Sequence, residues 1–253
     1  MKDVTIFLKK EGLEVWRTKR LILILTVFVL FGLISPLIAI LTPEILSSFG
    51  SELNITLPEP TSLDSWMQFY KNLTQIGIYI LAVFFCGSVN GEIRKGSLVN
   101  LVTKGLNRSA IISSKFIMMM ILSLSAILLS FFITAIYTAV YFPDNDSPHI
   151  VAGLIPFLVF VVFFSAIILL GSTLFDGSMA SLLFTIGVII VLYLVNIVEP
   201  LQAYNPIQLI GENLSLVEGT MELKALGLAI ASSLLLAVTA YLFSMKLMNK
   251  KKL

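Results

Sequence analysis

Six stretches of this chain contain no charged side chain: 21–43, 72–91, 116–143, 147–175, 177–198 and 225–245. A helix rising ~1.5 Å per residue needs about 20 mostly apolar residues to cross a bilayer core about 30 Å thick. Every window reaches that length, and an uncharged run of this size exceeds what a core element of a soluble domain requires. The 17 Lys or Arg and 15 Asp or Glu are confined to the intervening segments. Charged residues make up 13% of the chain, where soluble domains carry about 25%, so a soluble enzyme is excluded. The expected fold class is all-α, a polytopic membrane protein of one domain over residues 1–253. Its six spans are placed near 21–41, 73–90, 116–142, 150–171, 178–198 and 225–246.

The net charge of +2 gives no reason to expect nucleic acid. Cys86 is the only cysteine and His149 the only histidine. A disulfide within the chain, a Cys-based or His-based metal site and a Cys-His nucleophile pair are therefore not expected, and the expected metal set is empty. Neither a Ser-His pair nor paired carboxylates within the spans are assembled, so no catalytic residues are expected.

The basic residues fall on one side. Taking alternate connections together, the N-terminal segment, the second connection and the tail collect 15 of the 17 Lys and Arg, leaving Lys71 and Lys224 on the other side. Glu44, Glu52, Glu59, Asp64, Asp144, Asp146, Glu199, Glu212, Glu218 and Glu222 gather with those two. By the positive-inside rule both termini are expected in the cytoplasm of a multi-pass protein of the cytoplasmic membrane. The connection around Asp176 carries no Lys or Arg and sets no orientation. A re-entrant pair is the alternative for the fourth and fifth windows, whereas removing just one of these two spans would put the four-lysine tail outside, against the other eleven basic residues.

Residues 2–20 suit a partly amphipathic helix, with Val4, Phe7, Leu8 and Val15 on one face and Lys2, Lys9, Lys10 and Arg17 on the other. Glu11 intrudes on the apolar face. The expectation is an interfacial helix along the membrane surface rather than a mere basic flank. On the acidic side, Thr61 and Asp64 have the spacing of a capping box. Leu63, Trp66, Tyr70 and Leu73 then recur at helical spacing, which reads as a surface helix at the membrane interface feeding the second span. The last acidic-side stretch is apolar enough around Ile207–Ile210 to dip into the bilayer.

The connection from Gly91 to Phe116 carries the most information. Gly96 ends one element, Ser97 is placed to cap the next, and Leu98, Leu101 and Val102 form a one-sided apolar ridge on a helix of about two turns. Gly105 closes it, and Asn107 and Ser109 both suit the cap of the helix that runs through Lys115 into the third span. A two-residue turn would have sufficed for connection alone.

The order Glu92, Gly96, Ser97, Leu98, Leu101, Arg108, Ser109 and Lys115 resembles the second-connection signature of the ABC-2 type permeases, membrane subunits of ATP-binding-cassette exporters. The N-terminal Lys-Glu and Arg-x-Lys-Arg run, the six spans and Asn205-Pro206 in the last external loop extend the resemblance over the chain. Two positions depart from it, since the family commonly has a proline near Gly105 and a glycine where Ser114 stands. The resemblance implies a permease with a short cytoplasmic coupling helix. Glu92, Gly96, Ser97, Leu98, Leu101, Val102, Arg108 and Lys115 would couple it to an ATPase. It implies two ABC ATPase subunits as partners, a second permease chain (an identical or a related one), surrounding lipid, and ATP with Mg on the ATPase. No Gly-x-x-x-x-Gly-Lys-Ser/Thr loop occurs in the sequence, so no cofactor is expected in this chain.

Asn196 and Glu199, three apart before Pro200, are candidates for the external part of a substrate route. Ser123, Ser125, Ser130, Thr134, Ser165, Ser232 and Ser233 read as helix-packing or backbone-bonding residues. Three functions stay open at this point: an ATP-driven exporter subunit, an ATP-independent channel or secondary carrier, and a membrane subunit acting on a partner protein.

Overall fold

The computed structural model describes residues 2–49, 59–103, 105 and 107–251, and the side chains of residues 2, 44–49 and 99–101 lie outside the description. Among the described residues there is no strand. The helices are α1 (Lys2–Arg17), α2 (Arg20–Phe49), α3 (Ser62–Asn72), α4 (Ile78–Phe85), α5 (Asn90–Arg94), α6 (Ser97–Thr103), α7 (Arg108–Tyr141), α8 (Ile150–Leu174), α9 (Ser178–Val195), α10 (Glu199–Gln202), α11 (Gln208–Gly211), α12 (Asn213–Glu218) and α13 (Gly227–Lys250). Among the described residues six helical segments are long and apolar enough to cross a membrane: Arg20–Pro43, Ser62–Arg94, Arg108–Tyr141, Ile150–Leu174, Ser178–Val195 and Leu223–Lys250. The fold is an all-α polytopic membrane protein. Its basic segments (α1, the α5–α6 connection and the end of α13) meet at one end, called here the basic end, through contacts of Lys10 with Glu92 and of Arg108 with Met248.

α8 is the centre of the bundle. Phe157, Phe160, Val161, Phe163, Phe164, Ile168 and Leu169 are all buried, against α13, α9, α7, α4, α11 and α12. α9 lies at the periphery, with Leu183, Ile190, Val191 and Leu194 exposed. In lipid an exposed apolar face is the ordinary state, because the hydrocarbon is as apolar as the side chains.

Pro36 sits inside α2 and cannot donate to the carbonyl four residues back, Gly32. The third span supplies the missing donor. The Thr134 hydroxyl donates to the Gly32 carbonyl at 3.2 Å. A Cβ at residue 32 would lie 2.7 Å from the Ser130 carbonyl oxygen, so glycine there permits the close approach that brings Thr134 within reach. Non-helical satisfaction of a proline break by a neighbouring helix is the solution a bilayer demands.

The second span is built from pieces. α3 passes through a π-helical turn at Leu73–Gly77 into α4, and after Phe85 the helix breaks before α5. The Ser172 hydroxyl of α8 accepts from the Val89 N–H at 2.9 Å, closing one of the groups the break exposes. The expected surface helix at 63–73 is different in place. Trp66 is 1% exposed, and it packs edge-to-face against Phe69 and at a tilt against Phe131 in the core, while Tyr70 and Leu73 are buried with it. Its helical stripe packs on α2, α7 and α12 instead of meeting the interface. Ile207, Leu209 and Ile210, expected to dip into the bilayer, are buried against protein, with α11 packed on α8 and α13.

The α3 start is held by two carboxylates. Asp64 accepts from the Thr61 N–H at 2.9 Å, and Asp144, arriving from the far end of α7, accepts from the Ser62 N–H at 2.8 Å and from the Ser62 hydroxyl. Burial works against the Asp144 charge, but these Ser62 bonds outweigh it and hold the carboxyl below its usual range. A depressed carboxylate contributes stability above its unfolded pKa and loses it as pH falls through the folded value. We expect a destabilisation of about 0.5–2 kcal/mol in Asp144→Ala, the usual size of a helix cap lost to alanine. The difference should be present at neutral pH and shrink as acidification below about pH 4 protonates the native carboxylate. Thermal unfolding of both proteins across pH 3–7 measures this, and a difference independent of pH contradicts it.

Candidate functional site

At the basic end, Gly96 and Gly105 both adopt positive φ, +70° and +90°. They bracket α6 where the sequence places its breaks. Proline, fixed near −65°, cannot take the Gly105 conformation, so this chain bends after α6 by a left-handed glycine. Asn107 is the cap of α7, its side-chain oxygen accepting from the Ser109 N–H at 2.9 Å. The Ser97 hydroxyl donates back to the Glu92 carbonyl at 3.1 Å, joining α6 to α5.

α7 has 34 residues, about 51 Å at the helical rise, and so overruns the hydrocarbon thickness. Its first two turns carry Lys115 to the foot of the bundle. Lys115 is 3% exposed. Its ammonium lies 2.7 Å from Glu92 Oε1 and 3.1 Å from Glu11 Oε1. Lys10 makes the other half of the network, with its ammonium 2.8 Å from Glu92 Oε1, 2.8 Å from Glu14 Oε2 and 3.2 Å from Glu11 Oε1. Three carboxylate groups thus surround two ammonium groups where α1, α5 and α7 meet. The oxygens of Glu11, Glu14 and Glu92 lie within 4.8 Å of one another, a spacing that suits a cation. The Lys10 ammonium bonds all three and is that cation. Burial opposes its charge, yet the Glu14 and Glu92 bonds dominate and keep its pKa above the ordinary lysine value.

Two motif residues, Glu92 and Lys115, therefore pair with each other. The sequence reading missed Lys10, Glu11 and Glu14 as members. Its signal was the charge of Glu11 on an apolar face, which forms with Phe7 and Val15 the buried stripe of α1 against α7. The Ser114 hydroxyl donates to the Val4 carbonyl at 2.9 Å. The position at which the family commonly has glycine thus adds a tie between α7 and α1. The outer face of α1 shows Ile6, Leu13 and Trp16 among Lys9 and Arg17.

Arg108 has a separate role. Its guanidinium donates to the carbonyls of Met248, Asn249 and Lys251 at 3.3, 3.3 and 2.6 Å. A cation on the unpaired carbonyls of a helix C-terminus is favourable. Lys251 in turn meets Asp176 at 2.8 Å, so the end of α13 is tied both to the start of α7 and to the turn between α8 and α9.

The apolar ridge of α6 differs from its expected form. Leu98 is fully buried and Val102 packs against the same core. Residues four apart share a helix face, and here that face holds α6 onto the bundle, so neither side chain forms an outward ridge. Leu101 lies in the same helix, with its side chain outside the described residues.

Asn196 and Glu199 do not share a helix face. α9 ends at Val195, Asn196 is its C-cap, and Glu199 opens α10 after an intervening turn, ahead of Pro200. The Asn196 side chain accepts from Gln208 Nε2 at 3.1 Å, and its backbone carbonyl accepts from Gln202 Nε2 at 2.9 Å. Asn196 thereby anchors the α10–α11 segment, while Glu199 is exposed.

Six apolar helices among the described residues, a short helix bracketed by left-handed glycines at the basic end and an ion network binding that helix's root to the bundle define a polytopic membrane protein. The family pattern described as ABC-2 family transporter protein matches residues 12–193, and the chain belongs to that family. It is 23% identical over 190 residues to the uncharacterized transmembrane protein YxlG of Bacillus subtilis (strain 168), an alignment covering 74% of each chain. No solved structure matches.

Proposed function

We propose that the chain is the permease subunit of an ATP-driven exporter of the cytoplasmic membrane, working as a pair of permease chains, identical or related, with two separate ABC ATPase subunits that bind ATP and Mg. The observation that carries this reading is the rooting of the α5–α6 connection in buried ion pairs. Glu92, in α5 five residues before Ser97 and bonded through its carbonyl to the Ser97 hydroxyl, is held by Lys115 and Lys10, so force applied to α6 is delivered to α7 and α1 instead of being lost in a slack connection. Family membership supports the same assignment. Glu199 is proposed as a substrate-route residue because it is an exposed carboxylate next to the apolar end of the fifth span. Co-purification from source membranes in mild detergent, followed by native mass measurement, tests the assembly. A complex of two permease and two ATPase chains is expected, and a transport-competent species lacking any ATPase overturns the reading.

Orientation is checked by thiol labelling. In a Cys86→Ser background, single cysteines at Ser51, Asp146 and Asn249 are treated with an impermeant reagent in sealed cells. The first two should react from outside and the third only after lysis. Reaction at position 249 in sealed cells contradicts a cytoplasmic basic end.

A further inference from the structure

Beneath α1 a cleft of about 230 Å³ opens between the first three spans at the basic end. One wall carries Glu11, Glu14 and Glu92, already neutralised in part by Lys10 and Lys115. The rim carries Arg20, Arg94 and Lys95, all exposed, and among the described residues none of the three has a carboxylate within ion-pair distance. The floor is apolar: Ile24, Phe84, Phe85, Met118, Met119 and Leu122. The three rim cations exceed the one uncompensated carboxylate on the wall, so the cleft attracts an anion. Arg20 directly precedes the charge-free run 21–43, and Arg94 and Lys95 follow closely on the charge-free run 72–91, an onset of charge that suits the level of the lipid headgroups for the rim and of the acyl chains for the apolar floor. A charged rim over an apolar floor at that depth fits an amphiphile better than a free ion.

We propose that this cleft binds one acidic phospholipid of the surrounding leaflet, with its phosphate on Arg20, Arg94 and Lys95 and an acyl chain along Phe84, Phe85, Met118 and Leu122. The unpaired basic groups are the specific part of the site, since basic residues near a membrane surface attract anionic headgroups by roughly fivefold each. The two methionines supply a floor that adapts to a flexible chain.

The test uses the full chain in mixed micelles containing phosphatidylglycerol or phosphatidylcholine, with retained lipid counted by native mass spectrometry. The unaltered chain should retain one phosphatidylglycerol and select it over phosphatidylcholine. The Arg20→Gln, Arg94→Gln, Lys95→Gln variant should lose about a hundredfold in affinity for the acidic lipid. A control of equal charge loss, Lys9→Gln, Lys246→Gln, Lys250→Gln, should retain it. Met118→Trp, which narrows the floor and leaves the cations in place, should weaken retention of both lipids. Equal loss in the control variant shows general attraction to charge and overturns the site. Displacement of the lipid by an equal concentration of sn-glycerol 3-phosphate assigns the rim to soluble phosphate and overturns the lipid assignment.

Discussion

Lys115→Met should destabilise the chain by about 3–5 kcal/mol, the usual consequence of removing one partner from a buried ion pair. Methionine keeps most of the volume and the unbranched shape of the lysine stem, so lost packing contributes little. What remains is the Glu92 carboxylate, 8% exposed, and Glu11 beside it, with the half-exposed Lys10 as their single cation. Glu92→Gln added to Lys115→Met should recover a substantial part of the loss, because it removes the stranded charge. Lys10→Met alone should cost less than Lys115→Met, since its ammonium is partly in contact with water. Thermal unfolding of the detergent-extracted unaltered chain, Lys115→Met, Glu92→Gln and the double variant completes the cycle, with Lys10→Met measured beside it. A double variant whose loss equals the sum of the two single losses would mean that Glu92 and Lys115 are not energetically coupled. The network gives register more than raw stability, because a set of well-packed apolar residues could replace it at little cost. It fixes which turn of α1 meets which turn of α7, and both meet the root of α6.

The spans and their punctuation were legible because they follow from local chemistry. Charge-free length marks a bilayer crossing, and Gly96 and Gly105 stand where the backbone needs positive φ. The cap at Asn107 was legible as one of two candidates. Which face a helix turns to protein was not. In a soluble domain an apolar stripe points inward, but in a bilayer lipid accepts the same stripe. Trp66 and Tyr70 therefore read as interfacial and are core, whereas Trp16, 68% exposed, lies on the outer face of α1. The same ambiguity hid the orientation of Leu98 and Val102. Glu11 was visible as an anomaly in its pattern, yet besides the adjacent Lys10 its partner is the buried Lys115, 104 positions away, a distance no periodicity spans. Asn196 and Glu199 were paired on the assumption that α9 continues, and it ends one residue before Asn196.

Leu101→Asp and Leu98→Asp should fail in different ways, and the contrast decides whether α6 is a docking element. Leu98 is fully buried, so a carboxylate there must be taken from water without a partner, which costs several kcal/mol, and α6 should leave the bundle. We expect Leu98→Asp to lower the unfolding temperature of the isolated chain and its yield. Leu101 belongs to the same helix and, under the coupling role proposed for α6, meets the ATPase. Burying a leucine at such a contact is worth about 1.5–3 kcal/mol. Its loss corresponds to roughly a tenfold to hundredfold weaker association, before the added desolvation of the aspartate. Leu101→Asp should therefore leave the unfolding temperature near that of the unaltered chain while the ATPase is lost during purification and transport falls with it. Reconstitution at raised ATPase concentration should restore part of the activity, as a pure affinity defect requires. A Leu101→Asp chain that is stable, retains its ATPase and transports normally would remove α6 from the coupling path, leaving the ion-paired root at Glu92 as a purely structural joint.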